Sequence, residues 1–409
     1  MVPHAHVTEL FHRAMAPSNV AVVEGVMGLY DGRSSGNEEG SGAELAKLLG
    51  LPVLLVLDAS SMARSAAAVA LGFQRFDPAL RFAGVFLNRV AGPGHARLCQ
   101  EAIEAATGLP VLGSLHRNDA ITLPERHLGL VPEVEGQTAG EVFERITSEV
   151  AAGLDVDRLL ALSAIIPPAP SALPYRSSPS EGVSGLFPEK RPPVRARIAI
   201  AMDRSFSFYY QDSLDLLRAW GAELVPFSVM ADSGLPEGTT GIYVGGGFPE
   251  VYALELAENR AMAAAFREAA RKGIPMYAEC GGLMYLGEAL TDMSGVTHPM
   301  AGLLPLRSRL RDSRLTLGYR NARALADGPL LSKGQQVRGH EFHWSTLESG
   351  PQPDCAAYEL ERSPSRWEGW QQGSLFASYV HLHLAADVRL APRFVQQCTF
   401  RERTRQWER

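Results

Sequence analysis

The sequence predicts an α/β protein in which a parallel sheet, covered by helices on both faces, is built twice. Three observations predict it. Short runs rich in Val, Ile and Leu are apolar throughout rather than alternating, as in strands buried on both faces. Helix-length stretches separate them, the alternation that gives parallel sheets. The pattern then starts afresh after a stretch rich in proline and serine at 166–194. Proline there removes backbone donors and disfavours helix before it, so the stretch reads as an extended linker. The 409 residues therefore divide into a domain at 1–150, a linker assigned to 151–194 and a domain at 195–409.

In the first domain, strands are expected at 20–23, 52–57, 83–87 and 110–112, with helices over 63–72 and 96–106. In the second, a strand at 196–202 leads to a helix near 211–220. Strands at 223–226, 242–244 and 274–277 follow, and a last one at 375–380. No fixed-period repeat is present.

With 46% hydrophobic and 21% charged residues, the chain has the composition of a soluble globular protein. Lys plus Arg is 39 and Asp plus Glu is 45, a formal charge of -6 that argues against a general nucleic-acid binder. The four cysteines, Cys99, Cys280, Cys355 and Cys398, are widely spaced with no CxxC pair. That is neither a disulfide framework nor a zinc site, and it fits a reducing, cytoplasmic setting. The N-terminus opens no apolar signal core, and no run approaches the ~18 apolar residues of a membrane span.

Open parallel sheets bind ligands at the carboxyl ends of their strands, so the residues just after each strand matter most. The strand at 274–277 runs into Ala278-Glu279-Cys280-Gly281-Gly282 and then a helix. A cysteine between strand and helix sits on a sharp turn at a helix N-terminus, where N–H groups and the dipole favour a thiolate. The two glycines let a substrate carbonyl approach the backbone. A small buried hydrophobe is the other fate of a free Cys, but this position favours a nucleophile. Ser378-Tyr379-Val380-His381-Leu382-His383 supplies two imidazoles, whose i, i+2 spacing places both on one face if the strand continues. As metal ligands they lack a recognisable partner, since Asp387 completes no metal spacing. Gly245-Gly246-Gly247-Phe248-Pro249-Glu250 follows the strand at 242–244, either as a tight turn or as a loop aiming N–H groups at an oxyanion.

These residues resemble the triad, or class I, glutamine amidotransferase domain: glycine loop, Cys-Gly-Gly elbow and late His come in that family's order. The resemblance implies that Cys280 attacks the glutamine side-chain amide, that a glutamyl thioester forms and that ammonia leaves. It makes His381 the base and the N–H groups near Gly246 and Gly281 the oxyanion hole. The family's His-Pro-Glu is replaced by His381-Leu382-His383, which leaves the third triad member unassigned. In this it resembles the corrinoid-synthesis branch, where the site works as a Cys-His dyad.

In the first domain, the run at 20–23 ends in Glu24-Gly25-Val26-Met27-Gly28-Leu29-Tyr30-Asp31-Gly32. A carboxylate beside glycines suits Mg²⁺ over a nucleotide phosphate, and equally a loop turn. The strand at 83–87 ends in Asn88-Arg89-Val90, where Asn either reads a base edge or, more simply, caps a turn.

The run Val-Val-Glu-Gly-Val-Met-Gly-Leu-Tyr-Asp-Gly is similar to the signature of the cobyrinate a,c-diamide synthase family, hydrogenobyrinate homologues included. So are Leu-Asp-Ala-Ser (57–60), Gly-Val-Phe-Leu-Asn-Arg-Val (84–90), Gly-His-Glu-Phe-His-Trp-Ser (339–345) and Ser-Tyr-Val-His-Leu-His (378–383). The resemblance implies a first domain of the P-loop NTPase-like, dethiobiotin synthetase-like kind. By it Glu24 is a Mg²⁺ ligand, Asn88 an adenine contact with Arg89 beside it, and Asp31 part of the carboxylate-activating site. The sequence has no G-x-x-x-x-G-K-[ST], so this domain is expected to be incomplete, with the P-loop on an upstream segment. The phosphates would lack their backbone cradle, so residues 1–409 are expected to bind Mg-ATP weakly.

The resemblance further implies ATP-driven amidation of the a and c carboxylates of cobyrinate or hydrogenobyrinate, through an acyl phosphate attacked by ammonia. That ammonia, taken from L-glutamine, travels inside the molecule. Arg307, Arg309, Arg311, Arg314 and Arg320 are either a carboxylate-binding cluster for such a tetrapyrrole or a solvated face. Two rival readings stay open: cobyric acid synthase-like amidation of other ring positions, and a non-catalytic or glutaminase-only remnant. No nucleic-acid or membrane partner is expected, and a homodimer is left open.

Overall fold

The computed structural model describes residues 1–121, 125–126, 129–130, 139–164, 185–310, 313–361 and 366–399. It divides into two compact units, one of Met15–Pro174 and one of Tyr175–Arg409 together with Met1–Ala14.

The Met15–Pro174 unit is built on three parallel strands, with Phe82–Val90 between Val53–Asp58 and Val111–His116. The helices Arg64–Phe76 and Pro93–Thr107 link them. Small side chains at Ala66, Ala67 and Ala70 let the first helix pack close, in one core with Cys99 and Ile103. Pro93 opens the second helix, where its missing N–H costs nothing, and Gly108 closes it in the left-handed conformation. The expected strand at 20–23 does not form. Residues 20–26 have no regular structure, and Val22 is 92% exposed. An apolar run becomes a strand only with a neighbour to take its backbone bonds, and among the described residues no strand pairs with it.

Residues 156–163, assigned to the linker from sequence, form the helix Val156–Ser163. Asp155 caps it, accepting the Arg158 N–H at 3.0 Å, and the segment contains no proline. The proline-rich stretch at 165–184 lies outside the described residues.

The larger unit carries a nine-stranded sheet. Its order is Gln336–His343, Thr316–Ala324, Ala356–Leu360, Arg366–Gln372, Leu375–Ser378, Met276–Glu279, Gly241–Val244, Ala196–Ala201, Ala222–Phe227. The last five strands are parallel, as the sequence pattern predicts. The first four extend the sheet antiparallel. Alternate residues of the central strand enter different cores: Met276, Ala278 and Cys280 in one, Tyr277 in the other. Helix Arg260–Arg271 buries Met262 and Phe266 in the first, and helices Gln211–Ala219 and Leu390–Gln397 fill the second. Residues 1–14 join this second core rather than the neighbouring unit, because Leu10 is buried in it and His6 Nδ1 lies 2.7 Å from the Ala385 carbonyl oxygen.

Candidate active site

Strand Met276–Glu279 is buried along its whole length and delivers Cys280 to the start of helix Gly281–Leu286. Cys280 adopts φ 49° and ψ -103°, a conformation that costs a side-chain-bearing residue about 1–3 kcal/mol and holds its sulfur on a sharp elbow. The Cys280 N–H is tied to Ser378 O at 2.8 Å. The glycines around it answer to close approach. A Cβ at Gly282 would stand 2.5 Å from Val244 O, and one at Gly281 2.9 Å from Pro249 Cδ and 3.2 Å from Gly247 N. Elbow and glycine loop are therefore nested backbone to backbone. The Gly281 N–H falls in the first helical turn, where no preceding carbonyl can take it. Gly245 is anchored from behind, donating its N–H to the Tyr209 hydroxyl at 2.8 Å.

His381 reaches this elbow as expected, but not along a continuing strand. Leu375–Ser378 ends before it, and His381 is held by a bridge to His340, N–H to carbonyl both ways at 2.8 and 3.1 Å. A Cβ at Gly246 would lie 2.7 Å from His381 Cε1, so the imidazole rests on the glycine loop. Burial alone would lower the His381 pKa; the Cys280 charge, hydrogen bonding to Cys280 and Glu279, and the Glu279 charge outweigh it and raise it to about 10. The site thus favours an imidazolium facing Cys280. Beyond the strand end the chain turns, and the shared face expected for His381 and His383 is lost. His383 Nδ1 accepts the Ala385 N–H at 3.1 Å and its ring packs on Tyr210, so it caps a turn.

Glu279, which sequence reasoning passed over, lies 1% exposed with Oε2 3.6 Å from His381 Nδ1. A lone acid in an otherwise apolar buried strand was the available signal, because such residues are rarely buried without a partner. The 339–345 motif also gains a place. Phe342 O is 3.9 Å from Cys280 Sγ, and the His340 ring centroid is 5.1 Å from that of His381. Burial first, then the charges of His381 and Arg320, hold His340 down at about 4, so it is neutral beside the charged His381. Glu341, on the same strand, is buried between Arg320 and Arg366, each 2.5 Å away. Burial would raise its pKa, but His343, with Nε2 4.0 Å away, and the two guanidinium charges bring it to about 2.

The arginine cluster is divided by the fold. Arg320 turns to Glu341, Arg307 meets Glu288 at 3.2 Å on the surface, and Arg311 lies outside the described residues.

In the Met15–Pro174 unit, Asn88 and Arg89 lie just before the last residue of the central strand, with Asn88 in register with Asp58. Asn88 Oδ1 accepts the Arg89 N–H at 2.9 Å, a turn cap that accommodates φ 57° at Arg89. The Arg89 guanidinium donates to Asp58 at 3.1 Å. Asp31 closes its own loop, accepting the Gly28 N–H at 3.1 Å. Glu24 is exposed, and among the described residues no hydrogen bond or ion pair joins it to Asp31, Asp58 or Asn88. The structure gathers Cys280, His381, Gly246 and Gly281; Glu24 and Asp31 lie on one irregular stretch before helix Gly42–Leu49, and Asn88 and Arg89 on the central strand.

Residues 197–388 match the CobB/CobQ-like glutamine amidotransferase domain family, and residues 13–131 match the CobQ/CobB/MinD/ParA nucleotide binding domain family. The chain is 44% identical over 95% of its length to a cobyrinate a,c-diamide synthase of Dehalococcoides mccartyi, covering 83% of that protein. It is 44% identical over 95% of its length to a cobyrinate a,c-diamide synthase of Gloeobacter violaceus, covering 81% of it. It is 41% identical over 95% of its length to a hydrogenobyrinate a,c-diamide synthase of Streptomyces coelicolor, covering 83% of it. Among solved structures, PurLQS from Thermotoga maritima aligns with 50% of this chain and 97% of its own, at 16% identity and a TM-score of 0.37.

Proposed function

The chain belongs to the cobyrinate a,c-diamide synthase family, and on that premise we infer that it amidates the a and c side-chain carboxylates of cobyrinate or hydrogenobyrinate. It draws ammonia from L-glutamine and is driven by ATP. The observation that carries the glutaminase half is Cys280, strained on its elbow, facing an imidazole whose proton is held to about pH 10.

Cys280 Sγ attacks the glutamine carboxamide carbon. The oxygen gathers negative charge, and the N–H groups near Gly246 and Gly281 stabilise it where it develops. His381, already protonated, gives its proton to the departing nitrogen, so ammonia leaves and a glutamyl thioester remains. Water, its proton taken by the now neutral His381, releases glutamate and restores the thiolate.

In the second half-reaction ATP phosphorylates a substrate carboxylate, and ammonia displaces phosphate to give the amide. Asn88 and Arg89 contact the nucleotide and Asp31 lies at the carboxylate to be activated. Mg²⁺ in such sites takes most ligands from phosphates and water, with one or two carboxylates, and the exposed Glu24 is the carboxylate of that kind. When bound, the ion would offset phosphate charge. Among the described residues no helix is long and apolar enough to cross a membrane, and all four cysteines are free. Both fit the cytoplasmic location we infer.

The test is Cys280→Ala. It should abolish glutamate release from glutamine. Glutamine hydrolysis surviving in Cys280→Ala would sink the assignment.

A further inference from the structure

Glu279 stands immediately before the nucleophile, and period two sends its side chain to the face opposite Cys280, with Tyr277. All of its contacts are with donors. The hydroxyl of Tyr277 and the N–H of Leu382, the latter at 3.1 Å, meet Oε1. The hydroxyl of Tyr243 at 3.3 Å and His381 Nδ1 at 3.6 Å meet Oε2. A carboxyl group surrounded only by donors is behaving as a carboxylate.

A buried carboxylate needs a cation or several hydrogen bonds. Glu341 shows the first solution, with two arginines. Among the described residues Glu279 has no Lys or Arg within ion-pair distance, and the one ionisable cation beside it is His381. The surrounding hydroxyls fix the carboxylate before the base is protonated. Tyr243 and Tyr277 sit in register on adjacent parallel strands and stack at 4.8 Å, so the two phenols converge on one point. With Nδ1 turned to Glu279, Nε2 is the nitrogen left to exchange a proton with the sulfur and the leaving group.

We propose that Glu279 is the positioning residue of this glutaminase, fixing the tautomer and orientation of His381 from the position directly before the nucleophile and so completing a Cys280–His381–Glu279 triad. The inference rests on the glutaminase assignment of Cys280 and His381. A carboxylate there demands a proton on Nδ1, which leaves neutral Nε2 free to accept one. An amide in its place turns an N–H toward Nδ1 and favours the opposite tautomer, with the proton on Nε2, which cannot act as the base.

Glu279→Gln in the full chain should lower kcat for glutamine hydrolysis on the order of 10²- to 10⁴-fold. The KM for glutamine should stay within about twofold, because Glu279 touches His381 and not the substrate. Glu279→Asp, which keeps the charge, should be clearly more active than Glu279→Gln. Tyr243→Phe, which removes a donor but leaves the carboxylate on His381, should stay within about tenfold of the parent. Glu279→Gln retaining near-parental kcat while Cys280→Ala is dead would overturn the inference and leave the glutaminase assignment standing. An active Cys280→Ala would instead overturn that assignment. If Tyr243→Phe loses as much as Glu279→Gln, Glu279 serves the phenol cluster and the proposal fails. Should Glu279→Gln not fold, the Asp variant decides: activity lost with folding intact and charge kept counts against the proposal, and partial activity at unchanged KM supports it.

Discussion

Gly246→Ala adds a single methyl group to the glycine loop, and its effect can be worked from distances. Gly246 is not among the residues with positive φ, so alanine introduces no backbone strain and keeps the N–H. Its Cβ, however, would stand 2.7 Å from His381 Cε1. Carbon atoms pack at about 3.5–4.0 Å, so the imidazole must retreat by about 1 Å. The methyl cannot move aside freely, because Phe208 Cβ already lies 3.4 Å away. A displacement of about 1 Å between reacting groups costs on the order of 100-fold in rate, or about 2.7 kcal/mol in the barrier. The expected result is a loss of about 100-fold in kcat for glutamate release. Thermal unfolding should change little. Parental glutaminase activity in a folded Gly246→Ala protein would refute the reasoning, because the base could not then be an imidazole resting on that glycine.

Three further outcomes follow from the same geometry. His381→Ala should abolish glutamine hydrolysis while His383→Ala retains most of it, since His383 serves a turn and the Tyr210 ring; the reverse ranking in a glutamate-release assay would reassign the base. Gly339→Ala would set a Cβ 2.4 Å from His381 O, so it should break the His340–His381 bridge and lower both unfolding temperature and glutaminase activity. An alanine protein matching the parent in both would show that the bridge does not hold the base. Glu368 is buried, which raises its pKa, as the Glu341 charge also does; hydrogen bonds from Ser378 and the Tyr379 N–H act the other way, and the balance is about 7. Its folded pKa thus exceeds its unfolded value of 4.5, so its contribution to stability is full below pH 4.5 and is lost as pH rises through 7. The loss is on the order of 3 kcal/mol. Glu368→Gln should remove that part of the pH dependence in urea unfolding at pH 5 and pH 8, and an unchanged dependence would mean that Glu368 titrates normally.

Local order was legible in the chain. Both-faces-buried strands announce themselves as continuous apolar runs, and Cys280 between such a run and a glycine pair could be placed on an elbow from spacing alone. The same holds for the glycine loop after Gly241–Val244, because a strand end and a tight turn are decided by neighbours in sequence. What depended on partners distant in sequence was not legible. Residues 20–23 are as apolar as any strand, yet a strand is a property of a pair, and the run finds no neighbour in the described structure. His381 and His383 share a spacing that means one face only while the strand lasts, and it ends at Ser378. Glu279 was in plain view beside Cys280, but its meaning comes from Tyr243, His381 and Leu382, which are 36 to 103 residues away. Only the parallel register of three strands brings those donors to one carboxylate. The sequence by itself determined which groups stand as candidates for the chemistry, because identity and local backbone shape are written residue by residue. The tertiary structure decided which of them act together, because contact in a buried site is set by strand order and register.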